Sequence, residues 1–223
     1  MKISRFQACL LAALLSSTFI PTAGAASEKE SAPVGVMESI RKFLGIQPRR
    51  VSVGGTRSPG TPSPSVCLLA PGPITQVDGK SKVLVVKPKP DLVVGSPLSE
   101  LQIRSADKVV WAKVATTEGP IPERISWPIA AITPNQTLTL ALRPWDADLG
   151  DWALVELVGA VADEMERATQ IIQQSTDAQS RTAAIDEAIQ RGDGPTAFAL
   201  IWSETPIAGD QLSGLRKADA DGC

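Results

Sequence analysis

"QTLTLALRP", Gln136 to Pro144, alternates Leu138, Leu140 and Leu142 with Thr137, Thr139 and Ala141. A period of two sends successive side chains to opposite faces, so this stretch predicts a strand with one fully apolar face. Working outward, "VCLLA" (66–70) and "SKVLVV" (81–86) are β-rich runs, and Asp78-Gly79 between them is a hairpin turn signal. "ELQIRSADKVVWAKVA" (100–115) alternates on both sides of "SAD". It reads as a second hairpin, with Leu101 and Ile103 on one strand and Val109, Trp111 and Lys113 on the next. "RISWPI" (124–129) adds a further strand, and "WALVELV" (152–158) either closes the sheet or opens a helix. Prolines at 88, 90, 97, 120, 122, 128, 134 and 144 punctuate the runs, as at edges and turns. Six or seven short strands at this spacing predict a small immunoglobulin-like antiparallel β-sandwich over residues 65–158.

The pattern then changes period. Val158, Val161, Met165, Ala168 and Ile172 recur at three- and four-residue steps, an apolar helical stripe. Asp177 is placed to cap "AQSRTAAIDEAIQRG", Gly192 and Gly194 stop it, and Pro195 starts a last helix carrying Phe198, Ile201 and Trp202. Residues 159–223 therefore predict a short helical tail, and the fold class is α+β.

The N-terminal end decides the compartment. Lys2 and Arg5 precede the apolar run "ACLLAALLSSTFI", and Ala23 and Ala25 stand where a cleavage site needs small residues. Residues 1–25 predict a cleaved signal peptide, too short to span a bilayer, and hence a periplasmic or secreted product with no transmembrane span. Residues 26–64 have the composition of a flexible Pro/Gly-rich tether. Within it, Val36, Ile40, Phe43 and Leu44 fall on one face of a short amphipathic helix flanked by basic residues. Residues 36–46 fold back on the core or make peripheral contact with an anionic membrane.

Cleavage removes Lys2 and Arg5 from 22 basic side chains, leaving 20 against 24 acidic ones, a net of −4. That balance argues against nucleic acid as a partner. The chain has no histidine, which excludes Ser-His-Asp and Cys-His catalysis and any histidine-ligated metal, and no tyrosine. "SIRK" (39–42) and "SADK" (105–108) match Ser-x-x-Lys, but neither "SDN" nor "KTG" accompanies them, so no catalytic residue is assigned. No cofactor is implied.

Three groups of residues remain as candidate sites. Asp146, Asp148, Asp151 and Glu156 offer oxygen ligands suited to calcium, although Gly150 and Glu156 do not keep the EF-hand spacing. Trp127, Trp145 and Trp152 would form a glycan-stacking platform if exposed, and would pack a core if buried. Cys67 and Cys223 are the redox candidates. Three readings compete: Cys67 buried and unpaired, a Cys67–Cys223 bridge, or a terminal thiol that joins chains. The apolar neighbours in "VCLLA" favour the first.

The layout resembles a group of secreted cyanobacterial proteins of unknown function. Its matching pieces are "GGTR" (54–57), "CLLAPG" (67–72) and "ITPNQTLTLALRP" (132–144). The sequence departs from that pattern where "SPGTPSPS" separates Arg57 from Cys67 and where Leu138 replaces an aromatic. The resemblance implies export and a β domain, and no known chemistry. Together these readings predict a non-catalytic exported binding or assembly module of the bacterial cell envelope, its partner an envelope protein or a second copy of the chain. The alternatives are a glycan-binding module and a carboxylate-dependent hydrolase.

Overall fold

The leucine alternation of residues 136–144 forms a central strand of a large sheet, with Leu138, Leu140 and Leu142 all buried. The computed structural model describes residues 50–52, 65–203, 213 and 216. The signal-like stretch 1–25, the amphipathic stretch 36–46 and Cys223 lie outside them. Among the described residues the strands are β1 (Arg50–Ser52), β2 (Ser65–Ala70), β3 (Thr75–Val77), β4 (Lys80–Val85), β5 (Leu92–Val94), β6 (Leu98–Ser105), β7 (Lys108–Val114), β8 (Arg124–Ile125), β9 (Thr137–Pro144) and β10 (Ala153–Gly159). Three helices follow: α1 (Ala162–Gln174), α2 (Ala178–Gln190) and α3 (Gly194–Trp202). The fold is α+β.

Two sheets form, one ordered β1-β2-β5-β8 and the other β3-β4-β10-β9-β6-β7. The expected antiparallel architecture is corrected at one pairing: β10 runs parallel to β4, with Leu157 opposite Val83, so the larger sheet is mixed. Parallel neighbours need a long crossover, and here all of β5 to β9 lies between the two strands. The tether expectation for 26–64 is corrected as well, because residues 50–52 pair antiparallel with β2. The second hairpin forms as read, but the first is corrected: β4 turns back through Asp78-Gly79 onto β3, while "VCLLA" pairs with β1 and β5 in the other sheet. Asp78 and Gly79 take positive φ (52° and 73°) between β3 and β4, and Ala106 (50°) turns β6 into β7. A two-residue hairpin turn asks for this left-handed backbone, which Asp-Gly tolerates.

Both faces of β2 are buried. Val66 and Leu68 join Val94, Leu101, Ile103, Leu140 and Val155 in one apolar cluster shared by the two sheets. Cys67 and Leu69 point the other way and meet Ile185, Ala188, Phe198, Ile201 and Trp202 of the helices. The helical tail is thus a third layer on the small sheet, which explains why "VCLLA" is apolar without alternation.

Local chemistry sets the helix ends. Asp177 accepts from the Ser180 backbone N–H at 2.8 Å while Ser180 Oγ accepts from the Asp177 N–H, a capping box that starts α2. Asp193 caps α3, and Pro195 sits in its first turn. Val158 and Val161 leave the predicted stripe: "ALVELVG" is β10, which lies inside the large sheet between β4 and β9 and does not close its edge, and Val161 is the N-cap of α1. Met165 and Ala168 do face inward, beside Val86, Ala160 and Ala199.

The free end of α3 is held by cations. Arg124 Nη1 donates to the Trp202 carbonyl at 3.1 Å, and Arg216 donates to those of Ile201 (2.7 Å) and Ser203 (3.1 Å). Arg181, 1% exposed, donates to Ser203 Oγ and to the Ser175 carbonyl. Positive groups at a helix C-terminus are favoured by its unpaired carbonyls.

Candidate functional site

On the large sheet, residues that alternate with the core leucines and valines point to the opposite face. Along β6 these are Glu100, Gln102 and Arg104; along β9, Thr139, Ala141 and Arg143; along β10, Leu154 and Glu156. Registers Arg104↔Thr139, Gln102↔Ala141 and Glu100↔Arg143 place the two arginines diagonally about the Gln102–Ala141 pair.

Trp152 fills the space between them. Its ring centroid lies 5.3 Å from the Arg104 guanidinium carbon and 5.6 Å from that of Arg143. Ala141, which stands between the two arginines on that face, has an exposure of 0% although it points away from the core. A continuous chain of hydrogen bonds fixes the two cations. Arg104 Nε and Nη2 donate to Gln102 Oε1 (2.9 and 2.7 Å), Gln102 Nε2 donates to Glu100 Oε1 (2.6 Å), and Arg143 Nη2 donates to Glu100 Oε2 (2.9 Å). Cation–π attraction and these bonds together hold the indole against rotation.

Trp152 forms part of the wall of an open groove of about 960 Å³. Gln76, Lys80, Arg104, Thr139 and Glu156 line it as well, with Leu154 and Asp107. Lys80 Nζ donates to Glu156 Oε1 at 2.9 Å, and Lys82 stands 3.5 Å from the other oxygen. Gln76 Nε2 donates to Ser81 Oγ at 2.8 Å. The hydrogen bond from Lys80, opposed by burial and aided by the charges of Lys80 and Lys82, lowers the Glu156 pKa below its ordinary 4.5. A hydrolytic general acid needs the opposite shift, so Glu156 is unsuited to that role.

No family model, curated protein or solved structure matches this chain.

The sequence candidates distribute as follows. Of the three tryptophans, Trp152 lines the groove and Trp145 is 41% exposed. Trp127 instead packs on the shared core and donates its indole N–H to the Ala130 carbonyl at 2.8 Å, so a three-tryptophan platform is not formed. The calcium reading is corrected too. No three acidic groups among the described residues converge as metal ligands. Asp146 and Asp148 are exposed, Asp151 is buried, and Glu156 is taken by two lysines. The acids alternate in sequence, but the chain between Trp145 and Trp152 turns and enters β10, which parts them.

Cys67 is buried in β2, as read, but it is disulfide-bonded, which corrects the expectation of an unpaired thiol; its partner lies outside the described residues. Apolar neighbours suit a buried half-cystine as well as they suit a buried thiol, so "VCLLA" could not separate the two. Sequence reasoning missed Arg104, Gln102, Glu100 and Arg143, since polar residues on one face of a strand look like ordinary solvated positions. No helix among the described residues is long and apolar enough to cross a membrane.

Proposed function

We propose that the chain is an exported, non-catalytic binding module of the bacterial cell envelope whose ligand is a neutral oligosaccharide held in the Trp152 groove. Residues 1–25 support export to the periplasm or beyond, and the likeness to secreted cyanobacterial proteins belongs to the same reading. The scaffold on this reading is an immunoglobulin-like sandwich, supported by the single core that the two sheets share.

One observation carries the ligand assignment: an indole fixed by two arginines, beside fixed hydrogen-bonding groups, on the strands of one sheet. A sugar ring has an apolar C–H face and a rim of hydroxyls. Trp152 suits the face; Gln76, Thr139, Arg104 and Glu156 offer donors and acceptors for the rim. Charges along the groove balance, Lys80 and Arg104 against Asp107 and Glu156, which favours an uncharged ligand over an acidic one. Strand-borne groups need little reordering on binding.

Calorimetric titration of the exported protein with neutral and acidic oligosaccharides tests this. The expected result is binding within the neutral set that Trp152→Ala weakens at least tenfold. Binding left unchanged by Trp152→Ala, or confined to acidic sugars, contradicts it.

The assembly reading has one observation of its own. β7 ends the large sheet, and Val109, Val110 and Val114 are all more than two-fifths exposed on it. An apolar edge that pairs with no further strand among the described residues is a template for strand addition by a second copy. Sedimentation would show a concentration-dependent dimer that Val110→Lys abolishes; a monomer at every concentration removes this reading.

A further inference from the structure

We infer that the groove holds an unbranched chain of four sugar rings lying across the strands, one ring over each of β6, β9, β10 and β4, with the stacked ring at the Trp152 end. This rests on the reading of the groove as a site for a neutral oligosaccharide.

Register supplies the spacing. Arg104 on β6 is opposite Thr139 on β9, and Thr139 is opposite Glu156 on β10. These three side chains therefore stand in one row at right angles to the strands, on the face away from the core leucines. β4 comes next in the sheet, and its Lys80 reaches Glu156 at 2.9 Å. All four residues line the groove, so each of four adjacent strands gives it one polar side chain. Neighbouring strands lie about 4.8 Å apart, which is close to the length of one pyranose unit between its bridging oxygens. A chain crossing the strands thus brings the hydroxyl rim of each ring to one strand. Gln76 on β3 pairs with Ser81, which alternates with Lys80, so it borders the groove and does not extend the row.

The apolar contacts give the chain a direction. The Trp152 ring is held by Arg104 of β6 and Arg143 of β9, at 5.3 and 5.6 Å from its centroid, so the stacked ring lies at this end. Leu154 on β10, 49% exposed, lines the groove next and offers a second apolar surface. At β4 the groove is polar, with the Lys80–Glu156 pair free to donate to and accept from hydroxyls without a change in net charge.

Calorimetric titration of the exported protein with linear neutral hexose oligomers of one to six units tests the length. Affinity should rise about tenfold from two units to four, as two further rings gain hydrogen bonds, and level thereafter. A plateau at two units, or a rise that continues through six, overturns the four-strand placement. Lys80→Ala, at a side chain two-thirds exposed, leaves the core untouched and should weaken four-unit binding more than two-unit binding. Trp152→Ala should weaken both alike. Equal loss from Lys80→Ala at the two lengths also overturns the placement. Absence of binding at every length contradicts the neutral-sugar reading itself, so the two failures are distinguishable.

Discussion

Arg124 Nη1 on β8 lies 3.1 Å from the carbonyl oxygen of Trp202, the final residue of α3, and 3.6 Å from Asp91 Oδ2. One side chain therefore joins the smallest strand, a buried carboxylate and the end of the last helix. Asp91 is 7% exposed, and its other cation is Lys87 at 3.3 Å. Arg124→Ala removes the helix-end bond and one of the cations around Asp91, leaving Lys87 beside it and the charge of Arg216 nearby. The expected loss is about 2–3 kcal/mol, read from urea unfolding, because a buried charge stripped of a partner costs more than an exposed pair returns. A loss under about 0.5 kcal/mol would show that the contact is ornamental.

Gly159 closes β10 under tight packing. A Cβ added there would stand 2.3 Å from the Thr133 carbonyl oxygen and 3.1 Å from an Ile132 methyl. The carbonyl is backbone, and Gly159 itself bonds to the Gln136 carbonyl at 2.8 Å, so the neighbour cannot simply turn aside. Gly159→Ala should destabilise by about 1–3 kcal/mol in thermal or chemical unfolding. Gly150, with open space around it, is the control: Gly150→Ala should be near neutral.

The tail belongs to the core of the β unit rather than hanging from it. Cys67, Leu69 and Val93 have their partners on α2 and α3. A chain truncated after Gly159 should therefore lose cooperative unfolding and bind hydrophobic dyes. A sharp melting transition in the truncated chain would show that the small sheet stands without its helices.

Acid should weaken the groove wall. The folded-state pKa of Glu156 is lowered, chiefly by its hydrogen bond from Lys80, so its contribution to stability is fully present above about 4.5 and is lost as pH falls through the lowered value. Glu156→Gln removes this dependence. The difference in melting temperature between wild type and Glu156→Gln should hold constant above about pH 5 and shrink below it. A difference that grows on acidification would reverse the sign and the account.

Much of this fold was legible in single residues. Leu138, Leu140 and Leu142 announced β9, Asp78-Gly79 the turn that enters β4, and Asp177 the start of α2, because each feature is set by neighbours within a few positions. The parallel β4–β10 pair was not legible, since pairing depends on partners brought from far along the chain. For the same reason "VCLLA" hid its second packing face: a strand buried on both sides and one merely rich in apolar residues look alike. The groove was half legible. Trp152 was singled out, but its two arginines come from different strands and acquire meaning only through register. The acid-rich stretch after Trp145 misled for the converse reason, since nearness in sequence did not become nearness in space.

The most direct measurement is the indole region of a nitrogen–proton correlation spectrum, where five tryptophans give five resolvable signals, recorded during titration with neutral hexose oligosaccharides. A sugar bound in the groove shifts the Trp152 signal saturably while those of Trp111, Trp127 and Trp202 stay in place. A spectrum in which no indole moves, or in which Trp145 moves and Trp152 does not, contradicts a ligand in this groove.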